Sequence, residues 1–231
     1  MFRAWLPAAL IVGALGTYGS GRPLIAHESV DSVTAESALA ELKAGNEHHM
    51  RHRYTHPHES TARQRELVKA QHPHAIILSC ADSRVPPEIV FDQGLGDLFT
   101  VRVAGNVADD AVIGSIEYAA DHLHAPLLVV LGHESCGAVT AATEAGAAPG
   151  HLPTIVKAIQ PAVERARSIP GDLLANAVRL NVEMVVTQLR ASSPILSEMV
   201  TKGHLRVVGA VYSLQTGRVT WLPENAAVTT K

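Results

Sequence analysis

The sequence predicts one α/β domain with a mostly parallel central sheet, an antiparallel edge strand and flanking helices. Short, continuous apolar segments alternate along the chain with longer segments whose apolar residues recur at helical spacing. This alternation is typical of a parallel sheet that helices cover on both faces. The last two apolar segments are separated only by the turn Gln215-Thr216-Gly217, which predicts an antiparallel hairpin at the edge of the sheet.

Composition and length agree with a single globular domain. The chain has 231 residues, of which 47% are hydrophobic and 18% are charged, enough apolar material for a core and too little charge for disorder. The net charge is -3 and no basic block is present, so nothing favours nucleic acid as a partner. Because no internal repeat or long linker divides the chain, we expect one domain over residues 27–231.

The N-terminus is predicted to be a secretory signal peptide over residues 1–26. Arg3 is followed by an apolar stretch at residues 4–16 and by the small residues Gly19-Ser20-Gly21, which is the layout of a cleavable leader. Cleavage is expected near residues 19–21 or after Ala26; an uncleaved anchor or a misassigned start codon is the alternative. We therefore expect a periplasmic or secreted protein without a membrane segment after leader removal.

The remaining elements follow from the same two patterns and from their boundary residues. Gly45-Asn46 is a usual helix stop, Ser60-Thr61 can cap a second helix, and Pro73 would end it. Helices are expected at residues 36–46, 61–71, 109–123, 153–168 and 172–191, and strands at 75–78, 98–103, 127–131, 205–212 and 218–222.

A tract of five histidines lies between the first two predicted helices, at residues 48–58 (HHMRHRYTHPH). Its simplest interpretation is a solvated loop. The alternative is an arm that collects zinc weakly, because histidine-rich tracts are compositionally suited to metal binding.

Chemically reactive side chains follow two of the predicted strands. Cys80, Asp82 and Arg84 come after strand 75–78 at every second position, and the alternation of an extended chain would aim them to one side. His133 and Cys136 follow strand 127–131 and are three residues apart, so they share a face if a helix begins after Gly132. Since the carboxyl ends of parallel strands meet at one edge of a sheet, we expect the two groups to converge.

One imidazole and two thiolates suit zinc, which favours four-coordinate sites of nitrogen and sulfur ligands. Three protein ligands leave one position open, as in catalytic zinc sites. Asp82 could occupy that position, or Arg84 could hold Asp82 away from the metal by a charge-assisted pair. Taken singly, the two cysteines could instead form a disulfide, and the Asp–Arg pair could merely shape a turn; their joint occurrence favours a metal site.

The same residues carry a resemblance to a known family. CADSRVPPEIVFDQGLGDLFTVRVAGN, followed by GHESCGAV, resembles the β-class carbonic anhydrases, and the similarity extends over roughly residues 38–222. The resemblance implies a carbonate dehydratase, which hydrates carbon dioxide reversibly to bicarbonate and a proton. It also implies one Zn²⁺ per chain, bound by Cys80, His133 and Cys136, and a dimer in which two subunits build each site.

The resemblance further implies roles for the residues beside the metal. Asp82 and Arg84 match a catalytic dyad, in which the aspartate either orients the nucleophile or, in an inactive form, ligates zinc itself. Gln71 matches a substrate-binding glutamine of the plant-like subgroup. The other subgroup uses a tryptophan to hold inhibitory bicarbonate, and the two tryptophans here, Trp5 and Trp221, are not placed for that site.

The implied substrate pocket is completed by Phe99 and Tyr118, aromatic residues near the dimer interface, and by the backbone N–H of Gly137, a donor to the bound oxyanion. We expect carbon dioxide and bicarbonate as small-molecule partners and a homodimer or homotetramer. Two other functions are compatible with the residues: hydrolysis of an analogue such as carbonyl sulfide or carbon disulfide at the same site, and non-enzymic zinc binding, which the histidine tract suggests.

Overall fold

A five-stranded sheet forms the centre of the protein. The computed structural model describes residues 33–144, 149–191 and 193–224; the predicted leader lies outside them. The strands are β1 (Ala75–Ser79), β2 (Leu98–Arg102), β3 (Leu127–His133), β4 (Arg206–Tyr212) and β5 (Val219–Trp221). Their order is β2-β1-β3-β4-β5; the first four are parallel, and β5 pairs antiparallel with β4. The predicted fold class is therefore confirmed.

Helices surround this sheet. Those of the described residues are α1 (Ala35–Met50), α2 (Thr61–Glu66), α3 (Pro87–Val90), α4 (Asp110–Glu117), α5 (Gly137–Thr143), α6 (Leu152–Ala166), α7 (Leu173–Ala191) and α8 (Pro194–Thr201). Ser60 caps α2 through its side chain, as predicted, but α2 ends five residues before Gln71. Among the described residues, no helix combines the length and apolarity that crossing a membrane requires.

The two central strands explain the continuous apolar segments of the sequence. Every residue of β1 and β3 is buried, because helices pack on both faces of the sheet. One apolar cluster includes α1 and α3 residues, and another includes residues of α4, α7 and α8. A third cluster joins α5, α6 and α7 around Cys80 and Cys136. The edge strand β2 is only partly covered.

The predicted end of the first helix at Gly45-Asn46 is wrong. Helix α1 continues to Met50. Gly45 does not end the helix; it allows close packing. A Cβ at position 45 would lie 1.7 Å from the backbone oxygen of Phe91, so only glycine allows α1 to approach the chain that follows α3.

Asn46 is likewise an internal anchor. Its side-chain amide donates to the carbonyl oxygens of Val90 at 3.1 Å and Gly217 at 2.8 Å. Its Oδ1 accepts from the N–H of Val219 at 2.9 Å. A residue type that usually ends helices here connects α1 to α3 and to the β4–β5 hairpin.

Candidate metal centre

Two cysteines and one histidine meet at the carboxyl ends of the central strands. Cys80 follows β1, His133 is the last residue of β3, and Cys136 directly precedes α5. Their ligand atoms all lie within 4.8 Å of one another, and the two Sγ atoms are 3.9 Å apart. The three residues are buried. Within the part of the chain that the structure describes, this is the one group of three or more His, Cys, Asp or Glu with metal-ligand spacing.

The expected reason for the contact between His133 and Cys136 is wrong. The two residues do not share a helix face, because β3 extends through His133 and α5 begins only at Gly137. A tight turn connects them, in which Ser135 has a left-handed backbone with φ of +53°. The N–H of Glu134 donates to the carbonyl oxygen of Tyr212 at 2.9 Å, which ties the turn to β4.

The imidazole of His133 presents a ligand nitrogen to the two sulfurs. Nδ1 lies 2.8 Å from the carbonyl oxygen of Glu134. Because a carbonyl only accepts, Nδ1 carries a proton, and in the neutral ring Nε2 then has the lone pair. Nε2 is buried and has no hydrogen-bond partner among the described residues. Leaving such a group unpaired costs about 1–3 kcal/mol, so the atom is suited to a ligand that comes from outside the chain.

This donor set fits zinc. Two sulfurs at about 2.3 Å from a tetrahedral zinc ion are about 3.8 Å apart, close to the 3.9 Å between Cys80 and Cys136. The histidine nitrogen that faces them is unprotonated, as a ligand must be. The backbone carbonyl on the other nitrogen holds the ring in orientation, which is the usual arrangement of zinc-binding histidines.

The two thiols favour a single negative charge until a cation is present. A hydrogen bond from the Cys136 thiol, with a further one from the N–H of Gly105, lowers the pKa of Cys80. The negative Cys80 sulfur, together with burial, then raises the pKa of Cys136. Two neighbouring thiolates therefore need a compensating positive charge, which a divalent metal provides.

Asp82 lies beside the ligand group and is paired with Arg84. Arg84 donates from Nε to Oδ1 at 2.9 Å and from Nη2 to Oδ2 at 2.7 Å. These bonds hold the pKa of Asp82 well below its usual range. Oδ2 of Asp82 is also 3.8 Å from Nε2 of His133. In this arrangement Arg84 holds the carboxylate, and zinc ligation by Asp82 stays a prediction.

The alternation argument for Cys80, Asp82 and Arg84 is wrong in its geometry. Strand β1 ends at Ser79, and the chain turns at Ser83 and Arg84. The backbone N–H of Arg84 donates to Oδ1 of Asp82 at 2.9 Å. Arg84 therefore contacts Asp82 because the backbone turns between them, and not because the two side chains point to one side of a strand.

Arg102 is a residue of this site that the sequence analysis missed. It ends β2, and its guanidinium donates to the carbonyl oxygens of Cys80 at 3.1 Å, Asp82 at 2.6 Å and Val85 at 3.4 Å. One side chain therefore holds the whole loop that carries the first ligand and the carboxylate. The available signal was a cation at the carboxyl end of a predicted strand of the parallel sheet.

The segment that contains these residues matches a known family. Residues 75–219 match the family model described as Carbonic anhydrase. The chain is 45% identical over 186 residues to carbonic anhydrase 2 of Mycobacterium tuberculosis, covering 79% of this chain and 90% of that protein. It is 41% identical over 187 residues to a carbonic anhydrase of Mycolicibacterium smegmatis, covering 79% and 91%. The chain belongs to the carbonic anhydrase family.

Solved structures place it in the β class of that family. A β-carbonic anhydrase of Aspergillus fumigatus, CafA, superposes with a TM-score of 0.67 at 26% identity, covering 83% of this chain and 92% of that one. One of two tetrameric β-carbonic anhydrases of Sordaria macrospora superposes with a TM-score of 0.65 at 26% identity, covering 71% and 87%. The resemblance recognised in the sequence is confirmed.

The residues expected to bind substrate are not all near the metal group of this β-carbonic anhydrase chain. Gln71 precedes β1 whereas Cys80 follows it, and the five strand residues between them span about 16 Å. Phe99 pairs with Ile76 near the start of β1, and its ring centroid is 6.1 Å from that of Tyr118. Gln71 and Tyr118 line one surface cavity. These three residues are therefore grouped with one another, away from the ligands of the same chain.

Gly137, by contrast, lies at the metal group. It is the first residue of α5, directly after Cys136, and it is exposed. The first N–H groups of a helix have no partner inside the helix, so the Gly137 amide is available to an oxygen acceptor.

The histidine tract is more ordered than the predicted solvated loop. His48 lies 2.9 Å from Oδ2 of Asp92, and His58 lies 2.7 Å from Oδ1 of Asp97. His49 is hydrogen-bonded on both ring nitrogens, to the hydroxyls of Tyr54 and Tyr212. The loop prediction is therefore wrong for His48 and His49, which lie in the last turn of α1, whereas His58 is an exposed residue of a turn, as predicted. Among the described residues these three histidines belong to no group of three or more side chains with metal-ligand spacing.

Proposed function

We propose that this chain catalyses the zinc-dependent, reversible hydration of carbon dioxide to bicarbonate and a proton, with one zinc ion per chain. The observation that carries the proposal is the buried Cys80–His133–Cys136 group with an ionised carboxylate, Asp82, beside it. Membership of the carbonic anhydrase family agrees with this chemistry.

Zinc would be held by Sγ of Cys80, Nε2 of His133 and Sγ of Cys136. When bound, it supplies a Lewis acid that lowers the pKa of a coordinated water from about 15.7 to about 7. Three protein ligands leave a fourth position for that water, as catalytic sites require.

Asp82 orients the attacking oxygen. Because the pairing with Arg84 lowers the pKa of Asp82, its carboxylate is ionised at neutral pH and can only accept hydrogen bonds. An O–H of the nucleophile that donates to Oδ2 therefore leaves an oxygen lone pair directed at carbon dioxide. The two bonds from Arg84 fix the carboxylate in that position. The proton released in each hydration leaves the site before the next cycle.

The product carries a negative charge that the chain can stabilise. The N–H of Gly137, at the start of α5, can donate to an oxygen of bicarbonate. Gln71, Phe99 and Tyr118 would complete the pocket from a second protomer, because they lie away from the ligands of their own chain. The edge strand β2, which carries Phe99 and is only partly covered, is the surface proposed for this homodimer. A homotetramer would pair two such dimers, and one related structure is described as tetrameric.

Stopped-flow hydration of carbon dioxide and zinc content test the proposed function together. The wild-type chain should hold about one zinc per chain and turn over rapidly. Cys80→Ser should lose zinc and at least about a hundredfold in activity, because a buried thiolate ligand is removed. Equal activity in the two proteins would refute the metal assignment, and zinc binding without hydration would favour a zinc-binding protein instead.

Export is proposed from the sequence alone. Arg3, the apolar stretch at residues 4–16 and the small residues that follow support a cleavable leader over residues 1–26, and hence a periplasmic or secreted enzyme.

A further inference from the structure

One glycine residue, Gly105, links a buried asparagine of α7 to the first zinc ligand. The backbone N–H of Gly105 donates to Sγ of Cys80 at 3.3 Å. The carbonyl oxygen of the same residue accepts from Nδ2 of Asn181 at 2.9 Å. Asn181 therefore contacts Cys80 through Gly105, although it touches no ligand atom itself.

The backbone of Gly105 can lie against Cys80 only because the residue is glycine. Its φ is +71°, in the left-handed region. A Cβ there would lie 2.6 Å from Cδ1 of Ile159 in α6 and 3.1 Å from Cβ of Ala138 in α5. The backbone thus runs through a narrow space between helices, and its orientation depends on what holds it there.

Asn181 holds the backbone of Gly105 in this orientation, and its burial there is energetically unfavourable. The residue is 1% exposed and shares one face of α7 with the buried apolar residues Ala177, Val178 and Val185. Its Oδ1 has no hydrogen-bond partner among the described residues, and burial of an unpaired polar atom is unfavourable. An apolar side chain would suit this helix face better, so the amide is explained by the bond that it makes to Gly105.

We infer that Asn181 is a positioning residue of the zinc site, which keeps the Gly105 N–H on the Cys80 sulfur and so sets the affinity for zinc and the electron donation by that sulfur. An N–H donor withdraws negative charge from a thiolate. At Cys80 this reduces the repulsion from the second ligand sulfur, that of Cys136, which lies only 3.9 Å away. Substitution of a residue that orients a metal ligand from outside the coordination shell typically weakens metal binding about 10–100-fold. The inference rests on the proposed zinc site at Cys80, His133 and Cys136.

A matched pair of substitutions on α7 tests the role of Asn181. Gln188 also donates its side-chain amide to a backbone carbonyl of the segment between β2 and α4, that of Ala108 at 2.8 Å, but among the described residues no hydrogen bond joins Ala108 to a ligand sulfur. In the full-length chain, competition with a chelator should show zinc binding about 10–100-fold weaker in Asn181→Leu than in wild type. Gln188→Leu should stay within about threefold of wild type. Equal affinities in the two variants would overturn the proposal.

Cobalt substitution separates positioning from a purely structural role. With the N–H donor displaced, the sulfur-to-cobalt charge-transfer band of Asn181→Leu should move to lower energy, whereas that of Gln188→Leu should not move. A loss of thermal stability with an unchanged band and unchanged zinc affinity would show that Asn181 only supports the fold.

A measurement on the wild-type chain keeps the proposal testable if Asn181→Leu does not fold. After cadmium-113 substitution, the amide proton of Gly105 should show a scalar coupling to the metal through the Cys80 sulfur. Absence of this coupling would overturn the hydrogen bond on which the inference depends. A wild-type chain that bound no zinc would instead refute the proposed function, which distinguishes the two failures.

Discussion

At the scale of single residues, the site depends on how each reactive side chain is held. Asp82 is ionised because Arg84 pairs with both of its oxygens. Arg102 fixes the backbone of the same loop through three carbonyl oxygens. His133 keeps Nε2 unprotonated because Nδ1 donates to Glu134. Hydrogen bonds from the protein itself therefore orient the Asp82 carboxylate, its loop and the His133 ligand.

Asp82→Asn should separate metal binding from turnover. The variant should retain about one zinc per chain, because none of the three ligands changes, but lose about a hundredfold or more in stopped-flow hydration rate. The reason is that a neutral amide cannot hold the nucleophile as the carboxylate does. Asp110→Asn, which removes an exposed carboxylate from the first turn of α4, is the control and should keep wild-type activity. Full activity in Asp82→Asn would remove Asp82 from the mechanism.

At the scale of elements, close packing overrides local preferences of the chain. Helix propensity favours alanine over glycine inside a helix by about 1 kcal/mol, yet α1 retains Gly45 where it contacts the backbone of Phe91. Asn46 forms three bonds to two other parts of the fold. Gly-Asn is a common helix stop, so the sequence pattern indicated an end where the tertiary structure has a junction.

Gly45→Ala should therefore destabilise the protein, although alanine has a higher helix propensity than glycine. We expect the free energy of unfolding to fall by about 3 kcal/mol, because the added methyl group would overlap a backbone oxygen. Gly114 in α4 is the matched control, since nothing lies within 4 Å of a Cβ placed there; Gly114→Ala should be neutral or stabilising by up to about 1 kcal/mol. Urea denaturation of both variants measures the difference, and a stable Gly45→Ala would show that α1 can move away from Phe91.

At the scale of the whole molecule, one chain contains all the zinc ligands, but the residues proposed to bind substrate lie away from them. Gln71, Phe99 and Tyr118 lie towards the amino end of β1, whereas the ligands lie at its carboxyl end. A single strand cannot bring both of its ends to one point, so the proposed pocket would need a second copy of the chain to supply these residues. This is the physical argument for the proposed homodimer.

Complementation between two inactive variants tests the shared pocket. Cys80→Ser removes the zinc site and Gln71→Leu removes a substrate contact. If each site combines the ligands of one protomer with Gln71 of the other, mixed dimers contain one intact site, and random reassortment should restore about a quarter of wild-type activity. Each variant reassorted with itself is the control. No recovery in verified mixed dimers would place each pocket within a single chain.

Export of the whole chain is tested by the mass of the mature protein. Mass spectrometry of protein recovered from outside the cytoplasm should show a chain that lacks the segment up to residues 19–26, because an apolar leader of this layout is cleaved after small residues. A cytoplasmic protein with an intact Met1 end would contradict the proposal.

The sequence by itself determined the fold class and the ligand set of this protein. Continuous apolar strands between helices indicated a parallel sheet, and Cys80, His133 and Cys136 followed two of those strands, so their convergence could be predicted from local pattern. Only the tertiary structure decided how they converge, through the Ser135 turn instead of a helix face. It also decided which distant groups hold them. Arg102 and Asn181 act on backbone carbonyls about 20 and 76 residues away, and such contacts leave no local periodicity, because any residue can supply a carbonyl.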